Sequence, residues 1–267
     1  MEPLPPYVLE YAVVRWLFLL WIICLGCASN PSTKQIVDLT HSFDTKTPYW
    51  PTSPSGFELK SLSHGQTEGG YFYSANIFSA PEHGGTHLDA PIHFAEGAQT
   101  VDRIPVDHLV GEGVIIDVRS SCTRDRDYRV TTADLEIWEQ AHGPIEPGTI
   151  VLIRTGWATR YEDRKAYFGD DTPNDASNLH FPGIAKDAAE ALVKRKIHAV
   201  GIDTPSIDYG PSADFVAHQV LAAANTPIFE NMADSSQIGP RGFTVVALPM
   251  KIGGGSGAPL RLIAIVR

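Results

Sequence analysis

The segment from His83 to His93 has the residue types and the spacing of a metal site. Three histidines and one aspartate lie within it, at His83, His87, Asp89 and His93. Imidazole and carboxylate groups are the ligands that zinc, manganese and iron take when a site must stay open for chemistry. Two residues apart on a strand, His87 and Asp89 would point to the same face. The alternative is an exposed polar loop that happens to hold histidines, and the density of ligand-type side chains favours the metal site.

The second half of such a site would have to come from elsewhere in the chain, and His218 and Glu230 are the candidates. His218 lies in an apolar segment, which is more typical of a histidine packed in a core than of a ligand. Glu230 follows an apolar Pro-Ile-Phe triplet, where a buried carboxylate is costly unless a cation or hydrogen bonds pair it. From these residues alone, a ligand role and a packing role remain open for both.

Other polar and aromatic features have weaker signatures. Trp50 lies between two prolines in an extended loop, where it could serve packing or a substrate wall. Asp203 ends an apolar segment and is the better candidate for orienting a ligand histidine, whereas Asp208 fits a turn of Asp and Ser residues. The glycine-rich run 253–257 lacks a P-loop lysine and precedes a strand, so it predicts a hairpin loop. Cys122 has no base signature beside it and is assigned no catalytic role.

Composition and charge narrow the class of protein. The 267 residues are 43% hydrophobic and 19% charged, which is typical of a globular chain. The net charge of −10 and the absence of a basic stripe exclude nucleic acid as an expected partner. Two of the three cysteines lie in the first thirty residues, so Cys122 has no partner for a disulfide in the rest of the chain.

The N-terminus predicts export from the cytoplasm. An apolar run at 16–25 follows Arg15 and ends in small residues, which is the pattern of a signal peptide over 1–28 with cleavage after Ala28. An uncleaved membrane anchor is the alternative, and only then would the protein contact a membrane. Residues 29–35 are predicted as a linker and residues 36–267 as the folded domain, which is therefore expected to be secreted.

The pattern of apolar residues predicts an α/β domain with a mixed sheet. Helix and strand alternate in the middle of the domain, and strands stand at both ends. Residues 157–178 are polar and irregular and predict a long surface excursion. The predicted strands are 36–40, 71–79, 113–118, 148–154, 199–203, 243–249 and 260–266, and the predicted helices are 131–141, 184–197 and 213–224.

The stretch from His83 to Phe94 resembles the signature of the metal-dependent cyclase superfamily, which includes bacterial-type kynurenine formamidase and isatin hydrolase. The resemblance extends from Ile36 to the C-terminus. It also covers the Trp50-Pro51 loop, the segment 201–206, the twelve-residue step from His218 to Glu230 with Asn231 beside it, and the glycine loop after Lys251. It implies the swivelling β/β/α fold of that family and a homodimer.

Carried over by position, the resemblance assigns a role to each matching residue. It implies one metal on His83, His87 and Asp89, and a second on Asp89, His218 and Glu230, with the two carboxylates bridging. It further implies that His93 donates and accepts protons and that Trp50 lines the substrate pocket. The cofactor would be Zn or Mn, with one or two ions per subunit. The resemblance further implies that formamidase-like members carry Glu and two metals where isatin hydrolases carry Gln, so Glu230 favours the two-metal, formamidase-like type.

The implied activity is metal-dependent hydrolysis of a C–N amide bond, either N-formyl or cyclic, in a small aromatic substrate such as N-formylkynurenine. Water activated by the metal would attack, with His93 as general acid and base. An isatin hydrolase or a lactone hydrolase or cyclase is the first alternative, and a non-catalytic binding protein stabilised by a metal is the second. A secretory N-terminus is unusual for an enzyme of tryptophan catabolism, so the substrate is less well defined than the chemistry.

Overall fold

The fold is organised around an eight-stranded sheet that closes on itself. A computed structural model describes residues 34–267; the predicted signal peptide and most of the linker lie outside the described residues. The strands, in chain order, are β1 (Gln35–Asp38), β2 (Glu58–Gln66), β3 (Phe72–Ser79), β4 (His87–Asp89), β5 (Val110–Asp117), β6 (Arg129–Val130), β7 (Ile150–Arg154), β8 (Gly183–Ile184), β9 (Ala199–Ile202), β10 (Ile228–Glu230), β11 (Phe243–Pro249) and β12 (Gly257–Val266).

The long strand β12 closes the sheet. The strand order is β1-β12-β11-β5-β7-β9-β10-β4, and β4 pairs back onto the start of β12. One edge of β12 therefore pairs with two strands. Residues 257–259 pair with β4, and residues 263–266 pair with β1. Strands β5, β7, β9 and β10 run parallel, and the remaining neighbours in this sheet are antiparallel. The predicted α/β domain with a mixed sheet is confirmed.

Two apolar layers hold the sheet. Large side chains such as Leu88, Phe229, Phe243 and Leu262 fill the inside of the closed sheet. The outer face of the parallel strands packs against helices through a second cluster that includes Trp138. The helices are α1 (Arg119–Arg124), α2 (Thr132–His142), α3 (Arg164–Phe168), α4 (Lys186–Lys194) and α5 (Val216–Ala223).

Helix α2 begins as predicted, whereas α5 does not. Thr131 and Asp134 form a reciprocal capping box at the start of α2. The sequence predicts this helix over 213–224, with Ser212 as its N-cap, but the helix starts at Val216 after Phe215, whose φ is +51°. The Asp208 carboxylate accepts hydrogen bonds from the first free backbone N–H groups of α5 and so replaces the predicted cap. Helix α4 is likewise shorter than the predicted 184–197.

The predicted surface excursion at 157–178 is wrong in its aromatic part. One buried cluster contains the aromatic side chains of this segment, Trp157, Tyr161, Tyr167 and Phe168. The last two belong to helix α3. Burial of these side chains is favourable because it removes their apolar surface from water. The polar residues between them hid this apolar character in the sequence. The stretches 162–166 and 171–178 are largely exposed.

Strand β2 has no counterpart in the prediction, because its polar residues gave no apolar alternation. It pairs with β3 in an antiparallel two-stranded sheet that is separate from the closed sheet. No helix within residues 34–267 has the length and apolar character to cross a bilayer.

Candidate metal centre and active-site cavity

Strand β4 places two predicted ligands beside a third. Successive side chains of a strand alternate between its faces. Leu88 points into the core, so His87 and Asp89 share the opposite face. Glu230 of β10 lies directly opposite His87 in the antiparallel pairing, which brings its carboxylate to the same face. All three polar side chains are buried.

The five predicted ligands form two overlapping groups. His83, His87 and Asp89 make one, and Asp89, His218 and Glu230 make the other; within each group the ligand-type atoms lie within 4.8 Å of one another. Asp89 Oδ1 is 2.7 Å from His83 Nδ1 and 3.0 Å from His87 Nε2. His218 Nε2 is 3.2 Å from both Asp89 Oδ2 and Glu230 Oε1. The structure thus brings together ligands from β4, β10 and α5.

Two of these histidines are oriented by hydrogen bonds on the far side of the ring. His87 Nδ1 donates to the Gly85 carbonyl at 2.9 Å, which leaves Nε2 facing the carboxylates. His218 Nδ1 donates to Asp208 Oδ2 at 2.7 Å, which leaves its Nε2 facing them as well. Such partners fix the tautomer and the ring orientation of histidines that bind metals.

His83 is oriented by the glycine-rich loop. The backbone N–H and the hydroxyl of Ser256 both donate to Glu82 Oε2, at 3.0 and 2.6 Å. The hydroxyl oxygen is then free to accept from His83 Nε2 at 2.9 Å, and Nδ1 faces Asp89. A Cβ on Gly257 would lie 2.5 Å from His83 Cε1, so this close approach requires glycine. The predicted hairpin loop therefore also positions a candidate ligand.

The electrostatics of the cluster favour a bound cation. Burial alone would raise the pKa of Asp89, but His83 and His87 outweigh it and hold that pKa well below its ordinary value. Burial and the charge of Asp89 raise the pKa of Glu230. Burial would lower the pKa of His87, yet Asp89 and Glu230 raise it to about 9. Two carboxylates buried this close are costly without positive charge between them.

These observations fit a divalent metal. The donor atoms are three imidazole nitrogens and two carboxylates, a set that suits Zn or Mn. Each histidine already directs one nitrogen toward the shared carboxylates. Glu230 Oε1 is fixed in addition by the backbone N–H of Ile207 at 2.7 Å.

His93 lies beside this cluster but makes no hydrogen bond to it. It sits at the end of a short 3-10 turn, Pro91–His93, and its ring stacks on His83 with centroids 3.8 Å apart. Burial lowers the pKa of His93 to about 4; Asp89 opposes this and the neighbouring imidazoles, such as His83, add to it. The ring is thus neutral at pH 7 and can accept a proton.

A cavity of about 320 Å³ opens over the ligands. One wall is aromatic: the Trp50 ring meets Phe168, Phe181 and Phe215 edge-on, with centroids 6.4, 6.4 and 6.0 Å away. Phe215 also packs against Phe94 at 5.5 Å. Because a positive φ is rare for a bulky side chain, the backbone of Phe215 is held by its surroundings. The cavity therefore combines a polar floor with flat apolar sides.

Two aspartates have roles other than those the sequence predicts. Asp203 does not touch a ligand histidine; it accepts from Thr155 and from the Gly156 N–H and braces that turn. Asp208, interpreted as a turn residue, orients His218. Its position ten residues before His218 gave no signal without the fold.

Three more residues were not assigned roles from the sequence. Ser256 is hydrogen-bonded to His83, and Glu82 is hydrogen-bonded to Ser256; both contacts span more than 170 residues. Ser206 lines the cavity with a buried hydroxyl that has no protein partner. Cys122 is buried in α1, and burial raises the pKa of its thiol to about 12, in keeping with the absence of a nucleophilic role.

The chain is similar to one family model and to curated proteins of known activity. The Cyclase family model matches residues 37–209. Isatin hydrolase of Roseibium aggregatum is 29% identical over 256 residues, covering 91% of this chain and 95% of that protein. Kynurenine formamidase of Salinibacter ruber is 26% identical over 230 residues, covering 85% and 96%.

A solved structure agrees with these sequence matches. Isatin hydrolase A from Ralstonia solanacearum has a TM-score of 0.80 and 30% identity, and both chains are covered in full. The family match spans more than half of the chain and includes the segment from His83 to Phe94. The chain therefore belongs to the Cyclase family, as that segment predicted.

Proposed function

We propose that this protein is a metal-dependent hydrolase that cleaves a C–N amide bond, N-formyl or cyclic, in a small aromatic substrate. The observation that carries the proposal is the ligand cluster, in which three histidines each direct one fixed nitrogen toward Asp89 and Glu230 beneath an open cavity. A divalent cation held by these residues would lower the pKa of water and polarise a carbonyl. A structural zinc site, in contrast, is usually closed by four protein ligands.

The cavity supports an aromatic substrate. Its volume of about 320 Å³ is at the small end of the range for ligand sites. Trp50 and Phe215 offer faces and edges for a flat ring, and such contacts contribute about 0.5–1.5 kcal/mol beyond the area buried. Ser206 offers an unpaired hydroxyl to a polar group of the substrate.

His93 is the residue of the cavity best suited to move a proton. Its nitrogens are not committed to protein partners, unlike those of His83, His87 and His218. As a neutral imidazole it takes a proton from attacking water and returns it to the leaving nitrogen. Its stacking on His83 places the ring beside the ligand cluster.

Two substrates are favoured by different observations. The Glu230 carboxylate contacts both His218 and His87. A carboxylate at this position favours a two-metal site and an arylformamidase that acts on N-formylkynurenine. The matches to isatin hydrolases at 29 and 30% identity over nearly the whole chain favour isatin instead. Both reactions open an amide beside an aromatic ring, so they share the proposed chemistry.

A substrate screen tests the proposal. Purified protein with bound Zn or Mn is assayed against N-formylkynurenine, N-formylaniline, isatin and a small aromatic lactone, beside a His93→Ala variant. We expect hydrolysis of at least one amide and its loss in the variant. No turnover of any compound by a metal-loaded sample would favour a binding protein, and lactone cleavage alone would exclude the amide assignment.

We also propose that residues 1–28 direct the chain out of the cytoplasm and are removed after Ala28. The apolar run at 16–25 and the small residues that follow it support this. The intact mass of the protein recovered from its native host distinguishes the two forms: the cleaved protein lacks 1–28, whereas the anchored alternative keeps them and remains with the membrane fraction.

A further inference from the structure

Asn231 lines the cavity but belongs to neither of the two ligand groups. It follows Glu230 at the end of β10 and is only 3% exposed. Its backbone N–H donates to the Thr204 carbonyl at 3.0 Å, and its carbonyl accepts from the Thr86 hydroxyl at 2.7 Å. These bonds hold the residue at a φ of +54°, a left-handed conformation that asparagine tolerates better than most residues. The position of its side chain is therefore set by the fold.

The orientation of the Asn231 amide is fixed by Tyr167. The Tyr167 hydroxyl donates to Asn231 Oδ1 at 2.9 Å. Burial raises the pKa of Tyr167 well above its ordinary value, so the hydroxyl keeps the proton that it donates. If the amide were turned over, Tyr167 would have to donate to the Asp203 carbonyl at 3.4 Å, which is a longer and weaker bond. The amide nitrogen, Nδ2, therefore faces away from Tyr167.

The side-chain N–H groups of Asn231 have no acceptor within residues 34–267. Nδ2 lies 3.4 Å from His87 Nδ1, but that ring nitrogen itself donates to the Gly85 carbonyl at 2.9 Å. Two donors cannot bond to each other. A buried donor without an acceptor is costly, and such groups are rare in native proteins. On the wall of a cavity, such a donor indicates a ligand atom that accepts from it.

A second unpaired donor lies on the neighbouring segment of chain. The Ser206 hydroxyl is buried, lines the cavity and has no partner in the part of the chain that the structure describes. Its segment is joined to the end of β10 by two hydrogen bonds, from the Ile207 N–H to Glu230 and from Asn231 to the Thr204 carbonyl. This wall of the cavity therefore offers two donors that the protein does not use itself.

The free N–H groups of Asn231 lie apart from the ligand cluster. His87 Nε2 is 3.0 Å from Asp89 and faces the carboxylates, whereas Asn231 Nδ2 lies near Nδ1 of the same ring. The carbonyl that is cleaved belongs at the ligand cluster, so the acceptor for Asn231 must be a second oxygen. Because the two positions flank one imidazole ring, a substrate that fills both needs two carbonyl groups close together.

We propose, on the basis of the function proposed above, that Asn231 determines specificity by donating from Nδ2 to a second carbonyl oxygen of the substrate. The aromatic ring carries this carbonyl ortho to the amide that is cleaved, since one imidazole ring separates the two binding positions. Isatin and N-formylkynurenine both have such a carbonyl, and N-formylaniline lacks it. Asn231 is thus the residue that selects ortho-acyl anilides over simple anilides.

Two formanilides that differ only in the ortho group test this role. The zinc-loaded full chain is assayed with ortho-acetylformanilide and with N-formylaniline. Calorimetry then measures binding of the corresponding amines, ortho-aminoacetophenone and aniline, without turnover. We expect the wild type to favour the acetyl compound of each pair about 10-fold, the contribution of one buried hydrogen bond. Asn231→Gly should abolish this preference in both assays, and Tyr167→Phe should reduce it because the amide is then free to turn.

Asn174→Gly is the matched control for the backbone. Asn174 has a φ of +58°, but it is exposed and does not line the cavity, so its variant should keep the wild-type preference. Zinc affinity, measured by competition with a chromophoric chelator, should change by less than about 2-fold in Asn231→Gly, because the Gly85 carbonyl, not Asn231, orients His87. If Asn231→Gly does not fold, Asn231→Ala, which also lacks the donor, replaces it.

Four results would overturn the role of Asn231. The first is a wild type without preference in either assay, and the second is a preference that survives in Asn231→Gly or disappears in Asn174→Gly. The third is weaker zinc binding by Asn231→Gly with the preference intact, which would mean that Asn231 orients His87. The fourth is loss of the preference in Ser206→Ala but not in Asn231→Gly, which would assign the donor to Ser206. Absence of turnover with both formanilides would count against the proposed function alone, since binding of the two amines still tests Asn231.

Discussion

Replacing Ser256 with alanine removes the hydroxyl that joins Glu82 to His83. Two hydrogen bonds are lost, one of 2.6 Å to the Glu82 carboxylate and one of 2.9 Å from His83 Nε2. Glu82 and Ser256 are only half-buried, so the freed groups regain water and folding should lose about 1 kcal/mol. The His83 ring, however, is no longer held with Nδ1 toward Asp89.

The expected effect is on metal affinity. Removing a group that orients a ligand histidine typically costs about 10- to 100-fold in affinity, which corresponds to about 1.4–2.7 kcal/mol. Only the group formed by His83, His87 and Asp89 should weaken, because His83 does not belong to the other. Competition with a chromophoric zinc chelator measures this on the resting protein, independent of turnover.

A matched variant separates orientation from loop stability. Asp102 accepts a hydrogen bond from the Gly254 N–H in the same loop and touches no ligand histidine. Asp102→Ala should therefore keep near wild-type metal affinity. If Ser256→Ala binds zinc as tightly as the wild type, or if Asp102→Ala weakens it equally, then Ser256 does not act by orienting His83.

Three further perturbations follow from the site. His93→Ala should lower kcat by about 10²- to 10⁴-fold while elemental analysis shows an unchanged metal content, since His93 is beside the ligands and not among them; equal turnover would remove its proton-transfer role. Trp50→Ala should raise KM for an aromatic amide about 10-fold and leave that for formamide unchanged, because the lost contact is with the ring; an equal effect on both substrates would contradict this. In the metal-free protein, the pKa of His87 is raised from 6.5 to about 9. Protonation of His87 therefore adds up to about 3 kcal/mol to the free energy of unfolding. This contribution is fully present below pH 6.5 and is lost as the pH rises through 9. The melting temperature of the metal-free protein should fall between pH 6.5 and 9, whereas that of the metal-loaded protein should not change. A constant melting temperature in both samples would contradict the charge balance assigned to the cluster.

The local part of the site could be predicted from the sequence because its residues are close in the chain. Side chains two residues apart on a strand point to the same face, and His87 and Asp89 do lie on one strand, β4. The apolar strands of the closed sheet were recognisable for the same reason. Glu230 was ambiguous, since its partner His87 lies across a pairing of β4 with β10 that no local pattern specifies.

Long-range contacts account for what the sequence did not predict. Asp208 orients His218 only because α5 begins at Val216, and that start depends on the left-handed Phe215. The aromatic cluster at 157–168 was hidden among polar residues, and its burial depends on packing beside Trp50. The β2–β3 pair gave one recognisable strand, β3, whereas its polar partner β2 is fixed by pairing. In each case, tertiary packing outweighed local propensity.

The most direct test of the central claim combines metal content with turnover on one sample. The protein is stripped with a chelator, assayed with an aromatic amide found in the screen, and then titrated with Zn or Mn while both activity and bound metal are measured. We predict that activity disappears on stripping and returns in proportion to metal bound, and that Asp89→Asn, which alters the carboxylate shared by both ligand groups, prevents recovery. Full activity in the stripped protein, or recovery of activity in Asp89→Asn without bound metal, would contradict a metal-dependent hydrolase.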